Sequence, residues 1–109
     1  MQNLVKQKPT FVWTTRMNEG DDLFSRGMIA KSDKVLDTYL HNLSKAKETD
    51  EIWKAIEIVV KGFDKLNMED DGFLETTERE ELADFIKNAA ESYGLHFEGD
   101  VTEEYRTEW

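Results

Sequence analysis

The feature that most constrains the fold is the helical spacing of apolar residues. Within residues 35–43, 52–63 and 82–93, apolar side chains recur at intervals of three and four. This spacing places them on one face of an α-helix, the face that packs against a core. Three such helices joined by short loops predict a small helical bundle.

Capping residues indicate where these helices begin and end. Ser32 and Thr49 can accept hydrogen bonds from free backbone amides in a first helical turn, and they predict the starts of the first two helices. Thr77 and Glu80 form a capping-box pattern at the start of the third helix. Gly94 predicts the end of that helix, because glycine readily adopts the left-handed conformation found there.

Smaller elements are predicted at both ends of the chain. Residues 9–17 alternate β-branched and aromatic side chains, which predicts a short N-terminal strand. Residues 23–30 fit either a second strand or a loop, and the sequence leaves both open. Val101, Tyr105 and Trp109 follow at helical spacing and predict a short C-terminal helix. The expected fold is mainly α: a three- to four-helix bundle with a short N-terminal β element, in one domain of 109 residues.

Composition predicts a folded, soluble protein of the cytoplasm. Hydrophobic residues make up 39% of the chain and aromatic residues 11%, which is enough apolar surface for a core. The absence of cysteine excludes disulfides and thiolate metal sites, and it fits a reducing compartment. The longest apolar run is far too short to cross a membrane, so no membrane contact is expected.

The net charge of −10 is concentrated near the C terminus. Residues 67–109 carry fourteen acidic and three basic side chains, a net charge of −11, whereas residues 1–36 carry four acidic and six basic ones. Charge of this sign disfavours nucleic acid, whose phosphates require Lys and Arg. It favours a basic protein surface or a cation. The alternative is that the acidic residues only keep the domain soluble.

The acidic segment 67–78 resembles the calcium loop of an EF-hand when Gly72 takes the sixth loop position. The oxygen ligands that this resemblance implies are Asn67, Glu69, Asp71, the main-chain carbonyl of Phe73, Glu75 and Glu78. Asn at the first position and Glu at the third depart from the pattern. The capping box at Thr77 also shifts the following helix by two residues. An acidic turn between helices is therefore preferred, with calcium binding as the alternative.

Residues 80–95 resemble the ExxD-bearing helix of the all-α nucleotide pyrophosphohydrolases related to MazG, with Glu81 and Asp84 as the matching pair. The resemblance implies a Mg²⁺ site and nucleotide hydrolysis, which would need a facing acidic helix. The acidic residues available there, in place of the family's EExxE, are Glu48, Glu51 and Glu57. Nucleotide hydrolysis is the third interpretation.

Aromatic residues set among acids suggest a protein-binding surface. Tyr93 and Phe97 are expected to complete the core. The residues expected to contact a partner are Glu103, Glu104, Tyr105 and Trp109. The preferred interpretation is a non-catalytic, acidic module of inhibitor, immunity or adaptor type, without a cofactor, that docks on a basic protein.

Overall fold

The computed structural model describes residues 4–21, 24–69, 72–107 and 109. These residues form a 3-10 helix at Leu4–Gln7 and four α-helices: α1 (Pro9–Asn18), α2 (Arg26–Lys45), α3 (Thr49–Glu69) and α4 (Thr76–Ser92). The prediction of a mainly α bundle is confirmed. No helix in the described part of the chain is long and apolar enough to span a bilayer.

The predicted N-terminal strand is wrong, because residues 9–17 belong to α1. Pro9 is the first helical residue, where its fixed φ suits a helix and its missing amide costs no hydrogen bond. A strand would place Phe11 and Trp13 on one face, but Phe11 is 52% exposed and Trp13 is fully buried. The hydroxyl of Thr14 donates to the carbonyl four residues earlier at 2.7 Å, so this β-branched residue is satisfied within the helix.

Helix α2 starts earlier in the chain than the predicted cap at Ser32. Ser25 is the N-cap, and its hydroxyl accepts a hydrogen bond from the amide of Met28 at 3.2 Å. The described part of segment 23–30, which fitted a strand or a loop, therefore leads into α2. Ser32 lies inside the helix and is fully buried, and its hydroxyl has no hydrogen-bond partner among the described residues.

Helices α3 and α4 occupy the predicted regions. Just before α3, two backbone amides donate to the Glu51 carboxylate at 2.9 and 3.1 Å, which caps the first turn. Helix α4 begins at Thr76, with Glu75 as its N-cap and no side-chain hydrogen bond at the cap. Thr77 therefore lies within the first turn, and the predicted capping box does not form.

The predicted C-terminal helix is wrong, because residues 101–105 form successive turns. Asp100 accepts hydrogen bonds from the amide and the hydroxyl of Thr102 at 2.8 and 2.6 Å. Such local side-chain bonds favour a turn over a continued helix. Val101 is nevertheless buried, so the segment contributes to the core in another conformation.

Aromatic rings around Trp13 form the centre of the core. The indole stacks on Phe24 with ring centroids 5.7 Å apart, and it meets Phe63 and Phe73 edge-on at 6.5 and 6.0 Å. Burying an apolar side chain of this kind stabilises the fold by roughly 1.5–3 kcal/mol. These contacts join α1, α3 and the loop before α4.

Close packing and one buried hydrogen bond fix α2 against its neighbours. Gly62 on α3 faces Val35 on α2 so closely that an added Cβ would lie 2.9 Å from a Val35 methyl group. The Tyr39 hydroxyl donates to the carbonyl of Ile86 on α4 at 2.7 Å, and burial raises the pKa of this phenol. The close approach at position 62 favours glycine, because any side chain there would have to displace Val35.

Candidate protein-binding surface

The segment that follows α4 is fastened to α3 at its far end. The Trp109 indole nitrogen donates to the carbonyl of Val60 at 3.3 Å. Thr107 donates from its amide and hydroxyl to the Asp64 carboxylate at 3.2 and 2.9 Å. These bonds hold the acidic C-terminal residues at defined positions.

Where this segment passes α3, two aromatic rings line an open cleft, and a third ring lies beside one of them. The rings of Trp53 and Phe97 are nearly perpendicular, with centroids 5.1 Å apart. Tyr105 also lies beside Trp53, with centroids 6.5 Å apart. The cleft has a volume of about 210 Å³ and is lined by Trp53, Phe97, Asp100, Val101, Glu103 and Glu104. We call it the aromatic cleft.

Carboxylates border the aromatic cleft and make it electronegative. Glu103 and Glu104 are exposed, and within the described part of the chain neither forms an ion pair. Burial raises the pKa of Tyr105, and the nearby charges of Glu104 and Glu57 raise it further, against the opposing effect of Lys54. Both the phenol and an incoming cation would therefore experience negative charge at this position.

The third carboxylate of the cleft, that of Asp100, already has partners. It accepts hydrogen bonds from Thr102 and lies 3.1 Å from the Arg106 guanidinium. Arg106 in turn lies over the Trp109 ring, 5.5 Å from its centroid. Asp100 is therefore occupied in holding the turn, which leaves Glu103 and Glu104 as the carboxylates available to a ligand.

The aromatic residues near the C terminus are distributed differently from expectation. Trp109 was expected at a partner surface but is only 9% exposed and packs on Phe63, so it serves the core. Phe97 and Tyr93 were expected in the core but are 42% and 41% exposed. Tyr105 is half-buried beside Trp53.

Trp53 is the cleft residue that the sequence did not single out. Its position at the edge of the apolar face of α3, directly after the buried Ile52, is the signal that was available. A bulky ring at such an edge can be half exposed, but nothing in the sequence showed which other rings would reach it. Phe97 reaches it only because the segment after α4 folds back on α3.

The predicted calcium ligands are spread over a helix end, a loop and a second helix. Asn67 is buried in the last turn of α3, where its side-chain oxygen accepts the amide of Leu74 at 2.9 Å. Glu69 lies 3.9 Å from Lys31, Phe73 is buried, and Glu75 is the exposed N-cap of α4.

Asp71 lies outside the described residues. Among those that are described, no group of three or more His, Asp or Glu side chains could hold a metal ion. Because one of the six implied ligands is not included in that statement, calcium binding stays a prediction.

Glu78 has a cationic partner from within the chain. The start of α4 at Thr76 places Glu78 at the third helical position, which the EF-hand pattern requires. Its buried carboxylate, however, accepts a hydrogen bond from the Arg16 guanidinium at 3.0 Å. In this arrangement Arg16 supplies the positive charge that a metal would otherwise provide.

The carboxylates implied by the MazG resemblance also have internal roles. Glu81 accepts two hydrogen bonds from Arg16, at 2.8 and 2.6 Å, and one from the Trp13 indole at 3.2 Å. The hydrogen bonds to Glu81 raise the pKa of Arg16. Glu51 caps α3 together with the backbone of Glu48, as described above, and Glu57 accepts a hydrogen bond from Lys54 at 3.3 Å. Asp84 is exposed on α4. Nucleotide hydrolysis stays a prediction.

A larger cleft, of about 440 Å³, lies between α4 and the C-terminal turns. All three basic residues of segment 67–109 line it: Arg79, Lys87 and Arg106. Three acidic residues line it as well: Glu80, Asp84 and Asp100. Because these charges balance, the cleft does not favour a ligand of either sign.

Comparison with protein-family models, with curated proteins and with solved structures gave no match. The functional interpretation therefore rests on the residues and geometry of this chain. Of the surfaces described above, the aromatic cleft combines an exposed ring, Phe97, and a half-buried one, Trp53, with carboxylates that have no ion-pair partner in the described part.

Proposed function

We propose that this chain is a non-catalytic protein-binding module, of inhibitor, immunity or adaptor type, that docks on a basic partner through its C-terminal acidic surface. The observation that supports this most is one exposed ring beside carboxylates that form no ion pair in the described part of the chain. Phe97 is 42% exposed beside Trp53, and the exposed carboxylates of Glu103 and Glu104 border the same cleft. Aromatic anchors with complementary charge around them are typical of protein interfaces.

The ion pairs of the described residues leave the carboxylates of this surface available to a partner. Elsewhere in the acidic half of the chain, Glu78 and Glu81 share the single positive charge of Arg16, and Asp100 is paired with Arg106. Glu103 and Glu104 are exposed without such a partner in the described part. Unpaired surface charge steers an oppositely charged protein during encounter and disfavours like-charged competitors.

A solubility role alone explains the acids less completely. Charged residues that only maintain solubility do not need large apolar rings beside them, and exposed apolar surface opposes solubility. A docking surface accounts for both features, since the rings supply contact area and the carboxylates supply selectivity.

The test is affinity capture from cells that make the protein, followed by reconstitution with the purified partner. The partner should be basic at the bound surface, and the affinity should fall as salt is raised, because screening weakens exposed charge pairs. Replacing Glu103→Lys together with Glu104→Lys should weaken binding by about tenfold or more. Each of these positions is exposed, so the fold should be retained.

The matched control is Glu19→Lys together with Glu91→Lys, which changes the net charge equally at two exposed positions away from the cleft. This control should lose much less affinity than the Glu103 and Glu104 variant. Equal losses would mean that only total charge matters, and unchanged binding in both would remove the C-terminal surface from the interface. Either result would contradict the proposal.

A further inference from the structure

The walls of the aromatic cleft define the chemistry of a ligand more narrowly than net charge does. Trp53 and Phe97 meet at 86°, so the two rings form adjoining walls rather than a stacked pair. Tyr105 lies beside Trp53, tilted by 57° to it, but does not line the cleft. The faces of such rings carry negative electrostatic potential, which attracts a cation placed over them.

We propose that the aromatic cleft is a binding site for one arginine side chain of a protein partner. The inference rests on the proposed function, because it names the anchor of the partner that the acidic surface receives. A guanidinium group is planar and weakly hydrated, so it can stack on an aromatic ring while its edge donates hydrogen bonds to a carboxylate. Glu103 and Glu104 provide such carboxylates in the same cleft.

The charges around the cleft favour a cation over an apolar or anionic side chain. The neighbouring cation of α3, Lys54, forms a hydrogen bond with Glu57 at 3.3 Å and does not line the cleft. Arg106, the basic residue of the adjoining turn, is paired with Asp100. The described cations nearby are therefore already engaged, and the cleft retains negative charge for a ligand.

Arginine is favoured over lysine by the shape of the walls. Two rings at a right angle line the same cleft as the carboxylates, so the cleft offers an aromatic surface and hydrogen-bond acceptors together. A guanidinium uses both together, whereas an ammonium group is compact, strongly hydrated and loses more on leaving water. The cleft is an open groove of about 210 Å³, which has room for a side chain but not for a whole ligand. The occupant is therefore an arginine of a protein rather than a free small molecule.

The experiment is an NMR titration of the intact protein with a capped pentapeptide, Gly-Ser-Arg-Ser-Gly, and with versions that carry lysine or citrulline at the centre. Citrulline keeps the shape of arginine and removes its charge. The indole signal of Trp53 reports on the cleft, since Trp13 and Trp109 are buried at 0% and 9% exposure. The arginine peptide should shift this signal and the amides of residues 103–105 saturably, with millimolar affinity. The citrulline peptide should cause no saturable shift.

Two variants and a control locate the interaction. Phe97→Leu removes a ring at an exposed position, and Glu104→Gln removes a charge without changing size. Each should weaken arginine binding by about threefold to tenfold. The control is Phe11→Leu, which makes the same change at a position that is 52% exposed on α1, and it should leave the affinity unchanged.

Three results would overturn the inference: no saturable shift with the arginine peptide, equal binding of lysine or citrulline, or equal effects of the cleft and control variants. These results are distinguishable from failure of the proposed function. If the peptide does not bind but the reconstituted complex depends on Glu103 and Glu104, only the arginine anchor is wrong. If the complex is insensitive to both carboxylates, the proposed function is wrong, whatever the peptide does.

Discussion

Replacing Arg16→Met tests whether the ion-pair cluster between α1 and α4 holds the fold together. The change removes the hydrogen bonds to Glu81 at 2.8 and 2.6 Å and the bond at 3.0 Å to Glu78, which is only 5% exposed. Breaking a fully buried pair costs about 3–5 kcal/mol. Because the side chains of Arg16 and Glu81 are 27% and 26% exposed, water compensates in part. We therefore expect a loss of about 2–3 kcal/mol.

Thermal and urea denaturation, followed by circular dichroism, measure this loss. For a chain of this size we expect the melting temperature to fall by about 10 °C, at roughly 4 °C per kcal/mol. The matched control is Lys61→Met, which removes the same charge at an exposed position on α3 and should change stability by less than about 0.5 kcal/mol.

A double variant tests whether Arg16 and Glu78 stabilise the fold as a pair. Glu78→Gln should destabilise the native protein, because it weakens a charge-assisted hydrogen bond. In the Arg16→Met background the same change should cost much less or become stabilising, because it removes a buried carboxylate that has lost its cation. If Glu78→Gln has the same effect in both backgrounds, the pair does not stabilise the fold as we argue.

Three further outcomes follow from the structure. Gly62→Ala should destabilise the protein by about 1–3 kcal/mol in urea denaturation, since the new Cβ would meet Val35 at 2.9 Å. The control Gly27→Ala should be neutral or stabilising, because no atom lies within 4 Å of a Cβ at that position. The pKa of Asp33 is lowered: burial alone would raise it, but hydrogen bonds from Lys8 and a threonine outweigh that effect. Asp33→Asn should therefore destabilise the protein at pH values above the ordinary carboxyl pKa. This difference in stability should disappear as the pH falls through the lowered pKa, in melts from neutral to acidic pH. Millimolar Ca²⁺ should not raise the melting temperature above its value in EDTA, because Glu78 is paired with Arg16. A rise of several degrees that Glu78→Gln abolishes would establish the calcium alternative.

The parts of the fold that the sequence predicted are those where helical spacing extends over several turns. In α3 and α4, buried residues recur on one face over about four turns, and no competing pattern has the same period. The N-terminal helix was mistaken for a strand because β-branched and aromatic residues favour strands. Packing of Trp13 among three other rings overrides that preference. Pro9 was a usable signal for the start of a helix, but the strand preference of the residues after it outweighed that signal.

The candidate site was predicted less completely, because it depends on tertiary contacts. Segment 67–109 is acidic in the sequence, and Glu103 and Glu104, which are expected to contact a partner, are exposed. The exchange of roles between Trp109 and Phe97 was not visible, because the turns after α4 decide which ring reaches the core. The partner of Glu78 was equally hidden, since Arg16 is 62 residues away in the chain.

The most direct measurement of the central claim is hydrogen exchange of the reconstituted complex against the free protein. If the partner docks as proposed, new protection should cover the C-terminal turns at residues 97–106 and the part of α3 around Trp53. Exchange at α1 and the exposed face of α2 should not change. Protection confined to α1 and α2, with the 97–106 segment exchanging as in the free protein, would place the partner elsewhere and contradict the account.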